Sequence, residues 1–353
     1  MSRIVYWSAD ETGCGFYRCS VPAAGLRRLG HTVDVSTVLD SAVPNHADVI
    51  VGQRVGEPLP SRVWRAMAAV PDRNYRMVYE LDDDVFSLVH EKHNPAAAEW
   101  PARLANVVLN IQAADVITVT NAHLAEAVYY NAAPQGVIHV VPNAVPDELL
   151  SMAEHPRTGM PANSLGWSGS ATHDGDWLED GANREVMSWL SRTAHAPWPW
   201  RLATFGRPPS TLVKAHERRP AALWDAMDGT EDVYGYYTKL ARSFDIGLAP
   251  LARTAFNRSK SDLRLLELAA LGIPWLATDW GPYSTEGEAQ GGWRVARHGG
   301  WRDGLTRLSR SPSARDELRE QGRAWARRRT LTEILPFWLE AYGLPSGTVP
   351  NQE

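Results

Sequence analysis

Cysteine is almost absent from this chain: 353 residues contain only Cys14 and Cys19. Two thiols five positions apart are too few for a disulfide framework, and no second pair exists to complete a zinc site, so free thiols in a reducing compartment are expected. Also missing is any apolar run approaching the ~20 residues that a membrane-spanning helix requires. The N-terminus, Met1 to Ser8, enters a strand-like run directly and lacks the basic segment and apolar stretch of a signal peptide. These absences give the expectation of a cytoplasmic protein. Positive charge is not in excess either, with 36 Lys and Arg against 41 Asp and Glu. Residues 1–150 hold 11 basic against 17 acidic side chains, and the remainder 25 against 24. A nucleic-acid binder usually displays a basic stripe, so this balance disfavours DNA or RNA as an obligatory partner.

What the chain does have is alternation. Short, continuous, β-branched runs suited to buried parallel strands occur near Arg3 to Ser8, Thr32 to Val38, Asp48 to Gly52, Arg76 to Leu81, Asp115 to Thr120 and Val137 to Val141. Helical patterns separate several of them, at Tyr17 to Leu29, Ser61 to Val70, Glu99 to Ala113 and Asn121 to Asn131. Periodicity fails after Val141 through a Pro- and Gly-containing stretch, then a second alternation begins at Ser164. Its strands are expected at Ser164 to Ser168, Trp200 to Phe205, Asp245 to Ala249 and Ile273 to Thr278, with helices at Tyr234 to Ser243 and Asp262 to Leu271. The fold class is therefore α/β, two tandem doubly wound, Rossmann-like domains. Residues 1–150 form the first, 151–163 a hinge and 164–330 the second. Residues 331–353 form a C-terminal helix and frayed tail, expected to return towards the first domain.

The most informative stretch runs from Phe256 to Pro274. A helix beginning near Ser261 or Asp262 presents unpaired amides and the positive end of its dipole, which suits a diphosphate. Lys260 adds a cation at that entrance. Glu267 lies five to six residues into the helix, about 8 to 9 Å further along at the helical rise. That separation suits a carboxylate accepting from ribose hydroxyls while Lys260 holds phosphate. Glu267 also falls among Leu263, Leu266, Ala269, Ala270 and Leu271, and an ionised carboxylate in such surroundings needs a partner. A local pair with Arg264 is the plainer alternative.

The run Phe256-Asn257, Lys260-Ser261, Glu267, Ala269-Ala270, Gly272 and Pro274, preceded by Phe244 to Pro250 and followed by Gly281-Pro-Tyr283, resembles the donor-binding region of GT-B glycosyltransferases. The similarity is strongest to the large retaining family that includes sucrose-synthase-like and lipopolysaccharide-building enzymes. It implies a glycosyltransferase that moves a sugar from a nucleoside-diphosphate sugar to a hydroxyl acceptor, with retention and without a metal or other cofactor. Lys260 would contact the diphosphate, Glu267 the ribose, with Asn257 and Ser261 beside them. The family pattern often has another Glu eight positions before the ribose-binding one; here Ser259 stands there. Two other readings follow: a GT-B enzyme acting on hydroxymethylated DNA bases, and a non-catalytic nucleotide-sugar-binding subunit.

Supporting candidates lie at other predicted strand ends. In Gly166 to Asp174, Gly169 and Ser170 would let backbone amides approach a phosphate, and the resemblance adds His173 and Asp174 as cleft residues. Gly13-Cys-Gly-Phe-Tyr-Arg18 follows the first strand. A dinucleotide fingerprint would need a third glycine where Arg18 stands, whereas the resemblance makes Gly13, Gly15 and Arg18 donor-facing; a structural turn reads equally well. Asp82-Asp83-Asp84 ends a buried strand, where open α/β sheets bind ligands. Asp83 is a candidate for acceptor binding or base catalysis, with helix capping as the alternative. His93 lies just beyond, as a candidate contact for the transferred sugar. The 15 tryptophans are read mainly as core.

Overall fold

The computed structural model describes residues 1–152, 163–227, 232–296 and 299–345. Most of the expected hinge and all of the expected tail from Ser346 lie outside the described residues.

The β-branched runs become two six-stranded sheets whose named strand pairs are all parallel. The first holds β1 (Arg3–Trp7), β2 (Thr32–Ser36), β3 (Val49–Gln53), β4 (Arg76–Leu81), β5 (Val116–Val119) and β6 (Val137–Val140), in the order β2-β1-β3-β4-β5-β6. The second holds β7 (Ser164–Gly169), β8 (Arg201–Gly206), β9 (Leu223–Met227), β10 (Ile246–Ala249), β11 (Trp275–Thr278) and β12 (Gly292–Val295), in the order β12-β11-β10-β7-β8-β9. Every residue of β3, β5, β10 and β11 is buried. Helices cover both faces of such strands, which explains apolar runs without alternation. The result is the expected α/β class with two doubly wound lobes.

Two strands and, among the described residues, three helices of eight residues or more were not expected. β9 and β12 are short edge strands, interrupted by Asp225 and Arg294. Helices Ala182–Thr193 and Gly300–Arg310 follow Gly181 and Gly299, both at positive φ, instead of a Ser or Asp cap. Helix Ser210–Glu217 follows Pro209, also without a side-chain cap. The usual start signal is thus missing from all three.

One buried apolar cluster runs through both lobes, from Ile4 and Tyr17 to Tyr237, Leu265 and Trp338. Helix Leu331–Tyr342 contributes to it by packing on helix Val21–Arg28 of the first lobe. Gly25 permits that approach: a Cβ there would come within 2.9 Å of Leu335.

Candidate functional site

In each sheet the strand order reverses beside the first strand: β1 lies between β2 and β3, and β7 between β8 and β10. Parallel sheets bind ligands in the crevice at such a reversal, outside the carboxyl ends of the strands. Here residues following β1 and β4 face residues at the end of β7 across a cavity of about 630 Å³.

The second-lobe wall is built on helix Leu263–Ala270, which starts one or two residues later than expected. Lys260, Arg264 and Glu267 all line the cavity; Arg264 and Glu267, three positions apart, share one helical face, and Lys260 stands just before the helix begins. Asp262 makes no side-chain cap on this helix. Arg329 holds its carboxylate instead, through two hydrogen bonds of 2.9 Å. The first-turn amides therefore face the site without a competing local carboxylate. Lys260 Nζ stands 4.7 Å from the centre of the Phe256 ring, and Ser261 Oγ accepts from Asn143 of the first lobe at 3.0 Å.

Glu267 is 7% exposed. Its carboxylate accepts from Tyr17 of the first lobe and, at 3.4 Å, from Tyr236. Burial pushes its pKa up to about 7, against the lowering effect of the Tyr17 hydrogen bond and of Arg264. The carboxylate needed a partner, and two tyrosines supply it in place of a pair with Arg264.

Arg264 is a site residue that sequence reasoning treated only as a local partner. Its guanidinium donates to the Ser168 carbonyl at the end of β7 and, at 3.1 Å, to His173 Nε2. An arginine has no lone pair to offer, so Nε2 must accept. The proton of His173 then sits on Nδ1, which lies 2.7 Å from Asp176 Oδ2. Burial, followed by the Arg264 charge, lowers the His173 pKa to about 4, so the imidazole is neutral near pH 7. Asp176 was also missed. It gathers His173, the Ala252 amide at 2.8 Å and Asn257 Nδ2 at 2.7 Å, which sets the loop beneath the site. The neighbouring Asp174 turns away to Ser210 and Thr211.

Gly169 and Ser170 line the cavity with His173. Gly169 has φ +155°, and a Cβ would come within 2.8 Å of Trp167. Only glycine fits this turn without displacement.

On the first-lobe wall, Gly13 and Asp83 line the cavity. Burial raises the Asp83 pKa while the Lys260 charge works against the shift, so the two groups sense one another. Asp84 caps helix Val85–Leu88 through Phe86 and Ser87, the alternative weighed for this cluster. Arg18 is 1% exposed. Although it borders the cavity, its guanidinium is committed within the lobe, to Glu80 at 2.6 Å, the Val141 carbonyl at 2.7 Å and Asn143 at 3.1 Å. Gly15 serves packing, since a Cβ would lie 1.9 Å from the Asp10 carbonyl oxygen. Asn257 and His93 border a separate cavity of about 20 Å³, which shares Lys260 with the larger one. The structure thus brings Gly13, Arg18, Asp83, Gly169, Ser170, His173, Lys260, Ser261 and Glu267 to one cavity, and leaves Gly15, Asn257 and His93 off it.

First-lobe side chains also clasp the segment before the helix. Asn121 Nδ2 donates to the carbonyls of Ser259 and Lys260 at 2.9 and 3.0 Å, and Ser259 Oγ stands 3.4 Å from Asp84 Oδ2. Among the described residues, no group of three or more His, Cys, Asp or Glu side chains is arranged to hold a metal ion, and no helix is long and apolar enough to cross a membrane.

No protein-family model matches the sequence, and no curated protein matches it. Solved structures do. Sucrose-phosphate synthase from Thermosynechococcus elongatus is similar with a TM-score of 0.66 at 14% identity, over 97% of this chain and 98% of that one. An alpha-glucosyltransferase in complex with UDP gives a TM-score of 0.66 at 11% identity, over 97% and 100%. TarM of S. aureus, in a complex containing UDP, gives 0.56 at 11% identity, and this chain covers 55% of its length. Two parallel-sheet lobes meeting at their reversal points, superimposable end to end on such enzymes, give this chain the GT-B fold.

Proposed function

We propose that this protein is a glycosyltransferase that moves a sugar from a nucleoside-diphosphate sugar to a hydroxyl acceptor. The observation that carries the reading is the alignment of Lys260, Arg264 and Glu267 along one cavity wall. Two cations and the first-turn amides meet a diphosphate, and a buried carboxylate further along meets the ribose. Binding of UDP by structurally similar proteins is consistent with this assignment.

Negative charge develops on the departing diphosphate as the glycosidic bond breaks. Lys260, Arg264 and the amides at Gly169 and Ser170 would stabilise it where it forms, a role that elsewhere falls to a metal ion. His173, neutral and held by Asp176, fixes Arg264 without adding a competing charge. Asp83, on the first-lobe wall, would accept from the incoming hydroxyl. The retaining outcome follows from the family resemblance, and the anomeric configuration of the product, read by NMR, tests it.

Screening UDP-, GDP- and ADP-sugars for thermal stabilisation would identify the donor, because a ligand selective for the folded state raises its melting temperature. Glu267→Ala should then weaken donor binding by about 10- to 100-fold, the size of a lost charge-assisted hydrogen bond. Unchanged calorimetric affinity in a folded variant would remove the ribose assignment. One observation favours a second reading, a binding subunit without turnover: Ser259 is 5% exposed and brings no carboxylate to the sugar. That reading requires donor binding without nucleotide release for any acceptor.

A further inference from the structure

The cavity is electrically polarised. Its second-lobe wall carries Lys260 and Arg264 against the single carboxylate of Glu267. The first-lobe wall has the opposite balance. Arg18 is neutralised by Glu80 at 2.6 Å. Arg54, beneath the wall, pairs with Asp10 at 2.7 Å and also faces Asp82 at 3.4 Å. One guanidinium therefore serves Asp10, Asp82 and Asp83 together, and Lys260 across the cavity is the other cation that Asp83 senses.

The Asp82 carboxylate also has unused capacity. Asp82 is 7% exposed and borders the cavity, yet its Oδ1 accepts no hydrogen bond; Arg54 Nε lies close without hydrogen-bond geometry. The Cys14 thiol beside it stays protonated, its pKa raised by burial and then by Asp82, so it adds no third anion.

We infer that the Asp82–Asp83 wall selects the acceptor by charge: it takes an uncharged polyol, such as the adjacent hydroxyls of an unphosphorylated sugar, and rejects acceptors bearing phosphate or carboxylate. This rests on the glycosyl-transfer reading and names the acceptor class for that site. Two carboxylates accept from two hydroxyls, whereas an anion brought against them is repelled across a poorly solvated gap.

The test uses the whole protein with its best nucleotide sugar and matched acceptors differing only in charge: glucose against glucose 6-phosphate, and glycerol against glycerol 3-phosphate. Nucleotide release above the acceptor-free rate and acceptor saturation-transfer NMR with UDP bound are the readouts. The neutral member of each pair should be preferred by about tenfold or more, as expected for one unscreened like-charge contact. Asp82→Asn, and separately Asp83→Asn read by acceptor NMR alone because Asp83 also meets the reacting hydroxyl, should narrow the preference; in Asp82→Asn UDP affinity should stay within about twofold, because the diphosphate lies on the other wall. Preference for the phosphorylated members, a preference untouched by both substitutions, or failure of both neutral members to bind would overturn the inference. Loss of UDP binding in the unmodified protein would instead overturn the parent reading.

Discussion

The Tyr17 hydroxyl of the first lobe donates to the Glu267 carboxylate of the second, although the two residues are 250 positions apart. Glu267 therefore has a partner before any ribose arrives, and that partner belongs to the opposite lobe. The hydrogen bond lowers a pKa that burial has lifted to about 7, so it helps keep the carboxylate ionised.

Replacing Tyr17 with Phe should push the Glu267 pKa higher. A ribose-binding carboxylate must be ionised, so UDP affinity should fall as pH drops through about 7 in the unmodified protein. In Tyr17→Phe the midpoint of that fall should move to higher pH. Calorimetric titrations from about pH 5.5 to 8.5 would show it. Comparing the two proteins removes the titration of the nucleotide itself, and coincident midpoints would sink the idea.

Glu267→Gln should separate stability from binding. The folded-state pKa is raised from 4.5 to about 7, so folding is favoured while the group is protonated. That contribution is fully present below about 4.5 and is lost as pH rises through 7. Glutamine carries no ionisation penalty, so the variant should be more stable than the original near pH 8, by roughly 1–3 kcal/mol. The difference should shrink towards pH 5 in denaturant titrations. UDP affinity should fall by up to about 10- to 100-fold near pH 8, where the unmodified carboxylate is ionised, and by less near pH 5.

Much of this site was legible because its signals are local. Lys260, Ser261 and Glu267 belong to one helix and its entrance, whose end is marked by Gly272 and Pro274. Arg264 lies on the same helix, yet spacing alone suggested a pair with Glu267. Its actual partners, Ser168 and His173, are 96 and 91 positions away. Arg18 borders the cavity, yet its partners were hidden for the same reason. Its place beside a glycine loop was readable, but its burial depends on Glu80 in β4, 62 positions distant. The overlooked β9 and β12 are edge strands, where fewer neighbours demand an apolar run.

Chelation gives a third prediction. If Lys260, Arg264 and the first-turn amides carry the diphosphate charge, nucleotide release should continue in excess EDTA at no less than about half the untreated rate. Lys260→Ala should reduce kcat/KM by about 100-fold in the same buffer, with neither loss restored by magnesium. A chelator-sensitive rate recovered by a divalent cation would show that the cations alone are insufficient.

Ser259→Glu restores the residue that the family pattern places eight positions before Glu267, and it should damage this protein. Ser259 is 5% exposed, and its hydroxyl stands 3.4 Å from Asp84 Oδ2. A carboxylate introduced there would meet the buried Asp84, and two anions so close cannot both ionise without a cation between them. Asn121 also fixes the backbone by bonding the Ser259 and Lys260 carbonyls, so the loop cannot easily withdraw. The expected loss is about 3–5 kcal/mol of folding stability, the range for an uncompensated buried charge. Asp84→Asn should recover part of it in the double variant, since the amide oxygen can still cap Phe86 and Ser87 as Asp84 Oδ1 does now. Denaturant titrations of the two single variants and the double variant give the coupling energy directly. Additive losses would mean that Ser259 and Asp84 do not compete for the same space, and that the interlobe contact is not what excludes a glutamate from this position.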